Sequence, residues 1–246
     1  MTGGLPVRTG VIDWDSLEAV IFDLDGTLYR QSGVRLAMAR QLVWHCLSAR
    51  DGIMSVQVLR TFRACREELA EREACGVGVL QYEVPAQRLG IEAEHVRGIV
   101  EDWIETRPLA SLLRHRRPGV CAVFSALRTA GKRVIVYSDY PVSRKLSALG
   151  LEADLVVCGT DPGIDRFKPN PAGLAWIQAR TGLRPQDCLV IGDRPDRDGE
   201  AARRAGLAYL QMGRSGSPQV VGCPDFRHSV FAPLLQQSTS SRDLTA

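Results

Sequence analysis

Apolar residues along this chain follow two different periods, and the change between them marks its organisation. Residues 1–12 carry Gly, Pro and Thr without a period and read as a loose arm. Residues 18–23 form a short apolar run that predicts a first buried strand. From about 31 to 108 the apolar positions recur at helical spacing, with no convincing strand. Val34, Leu36, Ala37, Ala39, Leu42, Val43 and Cys46 make one helical set. Val56, Val58, Leu59, Phe62, Cys65 and Leu69 make a second, and Val96, Ile99, Val100, Trp103 and Ile104 a third. After Pro118-Gly119 helix and strand alternate. A helix over 119–130, closed by Gly131, leads to a strand at 134–137. A helix over 142–149 and a strand at 154–157 follow, then a helix from Pro171 to Thr181 with proline at its start. A strand at 188–191, a helix near 198–205 and a strand near 208–211 complete the series. This alternation predicts an α/β fold with a parallel sheet covered by helices on both faces. Residues 237–246 are polar and read as a disordered tail.

The chemistry gathers at the ends of the predicted strands. The run Ala19-Val20-Ile21-Phe22-Asp23-Leu24-Asp25-Gly26-Thr27-Leu28 ends a hydrophobic strand in two carboxylates, a glycine and a hydroxyl. Side chains two apart on a strand project to one face, so Asp23 and Asp25 can converge. In an open α/β sheet the space beyond the carboxyl end of a strand is where ligands bind. Two like charges held there call for a cation or a proton between them. The arrangement points to a magnesium-assisted nucleophile beside an acid/base.

Three later strands end in polar groups too. Ser138 opens Ser-Asp-Tyr-Pro, where a hydroxyl and free backbone N–H groups can hold phosphate oxygens. Taken alone, a serine after a strand is more often a helix cap. Lys168 stands in Arg-Phe-Lys-Pro-Asn-Pro, where a buried ammonium would offset the charge of a nucleophile and a phosphoryl group. Ile191-Gly192-Asp193-Arg194-Pro195-Asp196-Arg197-Asp198 follows another apolar strand and offers carboxylates of the kind magnesium prefers.

Composition narrows the class without changing this picture. A chain of 246 residues is long enough for one large domain, or a core with a smaller insert. The net charge of +3 makes no case for nucleic-acid or membrane partners, and no apolar stretch approaches the ~18 residues of a membrane span. Seven scattered cysteines, an odd number without CxxC or a signal peptide, imply reduced thiols and a cytoplasmic location. Against 28 arginines there are only three lysines, Lys132, Lys145 and Lys168. Genomic base composition explains the bias, yet a lysine that persists in such a chain is the more readily a chemical requirement.

Taken in order, the four segments resemble the four motifs of the haloacid dehalogenase superfamily, aspartate-nucleophile phosphohydrolases and their relatives. Strand-then-DxDGT stands at 19–27, and Ser138 occupies the place of the second motif. Lys168 with its following Pro-x-Pro, 30 residues later, resembles the third. Gly192-Asp193, a further acid and a helix ending in Ala205-Gly206 resemble the fourth. The likeness covers about 18–30 and 118–212, and the 113 residues from Asp25 to Ser138 leave room for the family's inserted helical cap. It implies a Rossmann-like doubly wound core of residues 1–30 and 109–236, a mostly α-helical cap of residues 31–108, and a tail from 237 to 246.

The resemblance also implies roles. Asp23 would attack phosphorus to form an aspartyl-phosphate, and Asp25 would protonate the leaving oxygen and then activate water. Ser138, Lys168 and nearby backbone N–H groups would bind the phosphoryl oxygens. Magnesium would lie between the Asp23 carboxylate, the Asp25 carbonyl and Asp193, with Asp198 orienting bound water and Asp196 its competitor for that place. Asp25 speaks against dehalogenation, and the absence of any lysine before Lys132 against Schiff-base phosphonate cleavage. The implied activity is magnesium-dependent hydrolysis of a small phosphorylated metabolite; a phosphomutase and a catalytically silent binding protein are the alternatives. Specificity is expected in the cap. The Arg114-His115-Arg116-Arg117 cluster is expected to be solvated, and His45 (beside Trp44) and Trp103 to sit in the cap core.

Overall fold

The computed structural model describes residues 7–8, 11–49, 51–213 and 222–243. Strands β1 (Val7–Arg8) and β2 (Val11–Ile12) pair antiparallel, so part of the predicted loose arm is a short ladder; the rest of that arm lies outside the described residues. Six further strands build the main sheet: β3 (Ala19–Phe22), β4 (Arg133–Ser138), β5 (Leu155–Cys158), β6 (Cys188–Gly192), β7 (Ala208–Met212) and β8 (Gly222–Cys223). All pair in parallel, in the order β5-β4-β3-β6-β7-β8. The strand order reverses at β3, which lies between β4 and β6 in register, Phe22 opposite Val136 and Ile191. This is the switch point where a doubly wound sheet opens a crevice.

Strand alternation divides the core in two. Val20, Phe22, Val134, Val136, Leu189 and Ile191 face one layer, and Ala19, Ile21, Ile135, Tyr137, Cys188 and Val190 the other. Near-continuous apolar strands are what a sheet buried on both faces requires.

Between β3 and β4 the chain is helical: α1 (Gln31–Ser48), α2 (Gly52–Glu71), α3 (Val77–Leu89), α4 (Ala93–Val100), a π-helical turn at Glu101–Thr106, and α5 (Leu109–His115). The insert has its own core of Val58, Phe62, Tyr82, Ala86, Val96 and Val100, whereas Leu112 of α5 belongs to the sheet's core. The first helical set is a helix as its period predicts, but its burial differs. Only Val34 of α1 is buried, while Trp44 is 72% and Leu47 79% exposed. Neighbours lie along part of α1 only, so its outer apolar residues meet solvent. Half-buried His45 packs on buried Trp103, their rings 5.2 Å apart.

The second half follows the predicted alternation. Helices α6 (Val120–Thr129), α7 (Ser143–Ala148), α8 (Ala172–Thr181) and α9 (Glu200–Arg204) separate the strands, α9 entered through a π-helical turn at Pro195–Gly199. Helix α10 (Ala232–Asp243) corrects the expectation of a disordered tail, since residues 237–243 are helical. Phe231 and Leu234 are buried against the core, and such docking carries a polar extension that would not hold helix alone. Residues 244–246 of that predicted tail lie outside the described residues. Among the described residues no helix is long and apolar enough to cross a membrane.

Candidate active site

The register of three parallel strands brings three chemical groups together. Asp23 follows β3, Ser138 ends β4 and Asp193 follows β6, and the Asp23 N–H donates to the Ile191 carbonyl at 2.8 Å. Carboxylate oxygens of Asp23, Asp193 and Asp198 lie within 4.8 Å of one another. Lys168 enters from the loop before α8 and donates to Asp23 Oδ1 at 2.7 Å and Asp198 Oδ1 at 2.6 Å. All four side chains are buried or half-buried.

Burial raises the Asp23 carboxyl well above the usual carboxylate range, Lys168 opposing and Asp198 and Asp193 reinforcing the shift. Burial, then the Asp198 charge, pushes Asp193 up to about 6. Burial alone would favour the neutral amine of Lys168, but Asp198 and Asp23 outweigh it and hold the ammonium above the usual lysine range. Asp23 Oδ2 is buried without a hydrogen-bond partner. A buried, unpartnered acceptor on a carboxylate clustered with two more fits a hard divalent cation with oxygen ligands.

Glycine makes this crowding possible. Gly26 has φ +103°, and a Cβ there would stand 2.0 Å from Asp193 Oδ2. At Gly192 a Cβ would meet Asp198 at 2.4 Å. The π-helical turn after Asp193 takes Asp198 inward, where its Oδ2 accepts the Arg194 N–H at 3.0 Å. Asp196 points outward to Arg194, 2.7 Å away. Of the two candidate acids, Asp198 is the one at the site.

Asp25 lies beside this cluster under a set of donors that the sequence reading did not include. Lys145 of α7 donates to both its oxygens, at 2.7 and 2.9 Å, and Tyr29 Oη donates to Oδ1. Burial and the Asp25 charge raise the Tyr29 hydroxyl far above its usual range, so it stays protonated and donating. Ser138 Oγ faces Asp25 Oδ2 at 3.5 Å and accepts the Tyr140 N–H at 3.1 Å. The one advance sign of Lys145 is the scarcity of lysine, since a contact spanning 120 residues leaves no local pattern.

The basic cluster at 114–117 is not simply solvated. Arg117 donates to the Gly26 carbonyl at 2.6 and 3.1 Å, bracing the turn after Asp25, and Arg116 donates to the Leu149 carbonyl at 2.7 Å.

The foot of α2 is tied to the sheet. Arg66 donates to the Asp139 carbonyl at 2.8 Å and lies over Tyr140 and Phe167, 4.0 and 3.9 Å from their ring centroids. Glu67 pairs with Arg194 at 2.9 Å and also with Arg197, and Glu73 pairs with Arg204 at 2.6 Å. Between the insert and the strand ends lies a cavity of about 670 Å³, with Asp23, Asp25, Ser138, Lys145, Lys168 and Asp193 among its lining residues. The structure thus gathers Asp23, Asp25, Ser138, Lys168, Asp193 and Asp198 round one cavity.

Known proteins share this architecture. Residues 17–206 match the haloacid dehalogenase-like hydrolase family. Glyceraldehyde 3-phosphate phosphatase of Methanopyrus kandleri is 26% identical over 207 residues, 80% of this chain and 84% of its own. Hexitol phosphatase A of Escherichia coli is 28% identical over 178 residues, 71% of this chain and 74% of its own. The crystal structure of YfnB from Bacillus subtilis bound to magnesium superposes with a TM-score of 0.61 at 16% identity, covering 89% of this chain and 98% of that one. With a match spanning most of its length, a doubly wound sheet and a helical insert over the strand ends, the chain belongs to the haloacid dehalogenase-like hydrolases.

Proposed function

We propose that the protein hydrolyses a small phosphorylated metabolite with magnesium, through an aspartyl-phosphate on Asp23. The observation that carries this reading is the division of labour between the oxygens of Asp23. Oδ1 is held by Lys168 and Oδ2 is buried and unpartnered, in a carboxylate whose oxygens come within 4.8 Å of those of Asp193 and Asp198. The two relatives named as phosphatases of a triose phosphate and of hexitol phosphates support the substrate class.

In this reading Asp23 attacks phosphorus while Lys168 and Ser138 hold the phosphoryl oxygens. Asp25 delivers a proton to the leaving oxygen, then takes one from the water that hydrolyses the aspartyl-phosphate. Lys145 and Tyr29 keep the Asp25 carboxyl group in place for both steps, the first from its protonated form and the second from the carboxylate this leaves. Asp23, the Asp25 carbonyl, Asp193 and Asp198 are the residues that would hold magnesium. When bound, the ion supplies charge neutralisation for the phosphoryl group and the carboxylates. Residues 31–108 act as the cap over a core of residues 1–30 and 109–236, and the seven free cysteines suit a cytoplasmic location.

Phosphate release from a panel of phosphorylated metabolites, with magnesium and with chelator, tests the reading. Asp23→Asn should abolish turnover in a folded protein, because an amide is a poor nucleophile of nearly the same volume. Substantial residual release by that variant, or full activity in chelator, would refute the assignment. Isomerised product without phosphate release would make the enzyme a mutase.

A further inference from the structure

The cavity is larger and differently charged than the phosphoryl chemistry needs. Its volume of about 670 Å³ falls in the middle of the range for sites that enclose drug-sized ligands, ~300–1,000 Å³. At its floor the negative charge of a phosphoryl group is already answered by Lys168. Three more cations, Arg35 on α1 and Arg60 and Arg63 on α2, line the same cavity. Among the described residues none of the three has a hydrogen-bond or ion-pair partner. Elsewhere in the insert Arg88 pairs with Glu68, Arg97 with Glu94 and Arg107 with Asp102, while Arg40 and Arg72, also without such a partner, lie outside the cavity lining. Unanswered guanidinium groups concentrated on one cavity wall mark a place for an anion.

The two helices give the height of that wall. Arg66 fixes the foot of α2 at the Asp139 carbonyl. At ~1.5 Å per residue, Arg63 stands about 4.5 Å and Arg60 about 9 Å up the helix axis, and Val56 about 15 Å. Helix α1 runs the other way, leaving the sheet at Gln31. Arg35 is then about 6 Å from its foot, Met38 about 10 Å and Leu42 about 16 Å. Above the arginines the two helices present Met38, Leu42, Leu59 and Val56, and Trp103 and Ile104 extend this apolar part of the lining.

We propose that the substrate carries, besides its scissile phosphoryl group, a second anionic group bound by Arg35, Arg60 and Arg63 and an apolar body enclosed by the upper wall. The inference rests on the phosphatase reading and adds to it the class of phosphomonoester. The second anion, a carboxylate or a phosphate, sits on the arginine belt, and the apolar portion fills the space toward Leu42 and Val56.

The test compares kcat/KM of the full-length protein, with magnesium, on 4-carboxyphenyl phosphate, 4-methylphenyl phosphate and glycerol 3-phosphate. The order expected is carboxyphenyl above methylphenyl above glycerol phosphate. Arg60 and Arg63 are exposed, so the double variant Arg60→Ala/Arg63→Ala should keep its fold, checked by circular dichroism. It should lower the carboxyphenyl-to-methylphenyl ratio by about tenfold or more, the scale of a lost charge-assisted contact. The double variant Arg60→Lys/Arg63→Lys should restore part of the ratio. Equal rates on the two aryl phosphates, a ratio unmoved by the alanine variant, or a preference for glycerol 3-phosphate would overturn the substrate class alone. No phosphate release by the wild type from any of the three, or from a wider metabolite panel, would overturn the phosphatase reading and this inference with it.

Discussion

Replacing Lys168 with methionine keeps most of the side-chain volume and removes one charge from the centre of the site. In the wild type the ammonium sits 2.7 Å from Asp23 Oδ1 and 2.6 Å from Asp198 Oδ1, with all three groups buried. At an effective dielectric constant of about 20, each contact at that separation is worth ~6 kcal/mol of Coulomb attraction. Most of that is offset by the cost of desolvating the ions, and removing one partner of a buried pair typically costs ~3–5 kcal/mol. Lys168→Met should therefore destabilise the metal-free protein by about 3–5 kcal/mol at pH 7 in urea denaturation. The sign with pH follows from the acids. Asp23 and Asp193 both have folded-state pKa values above their ordinary value, that of Asp193 at about 6. Asp193 takes up its proton as pH falls through 6, and the upward shift of Asp23 favours its neutral form too; a protonated carboxyl needs no cation, so the penalty should shrink at pH 5. A penalty below ~1 kcal/mol at pH 7, or one that grows toward pH 5, would refute the charge argument. The same variant should lower kcat/KM on every substrate alike, because the phosphoryl group is common to them.

Gly26→Ala should cost about 100-fold in kcat, since a Cβ 2.0 Å from Asp193 Oδ2 forces that carboxylate to retreat by more than an ångström; wild-type turnover in the folded variant would refute it. Asp193, with a folded pKa of about 6 against an ordinary 3.8, contributes stability that is full below about pH 4 and is lost as pH rises through 6. Saturating magnesium should accordingly raise Tm more at pH 7.5 than at pH 5, and equal shifts would remove Asp193 from the ion site. Lys145→Met should slow alkyl phosphates more than an activated aryl phosphate, because a poor leaving group depends most on the proton that Asp25 supplies. Equal losses on both substrates would show that Lys145 acts elsewhere.

The sheet and its strand-end groups were legible because each rests on local pattern. Apolar runs that end in Asp23, Ser138 and Gly192-Asp193 are contiguous in sequence, and parallel pairing then aligns them. The choice between Asp198 and Asp196 was not legible, because it turns on a π-helical turn at Pro195–Gly199. Only that local winding decides which acid is carried inward. Lys145, Arg66 and Arg117 act across 120, 73 and 91 residues, at distances where no periodicity connects the partners. Burial along α1 was not legible for a related reason. Helical spacing reports which residues share a face, but whether Leu36 and Val43 are covered depends on what packs there, and both are exposed. In α10 the polar composition hid a helix that is anchored by Phe231 and Leu234 rather than by its own propensity.

The scarcity of lysine has a consequence for the molecule's surface. Lys132 is bonded to the Leu17 carbonyl at 2.7 Å, Lys145 to Asp25 and Lys168 to Asp23 and Asp198, and all three are buried. The outer cationic charge is therefore carried by guanidinium groups, and no side-chain amine stands free in the folded state. An amine-directed reagent would find the native protein nearly inert at its lysines. Labelling of Lys132 would report opening at the amino-terminal ends of the inner strands β3 and β4, and labelling of Lys145 or Lys168 exposure of the acid cluster. Each lysine becomes a separate gauge of local unfolding, read peptide by peptide without any added probe.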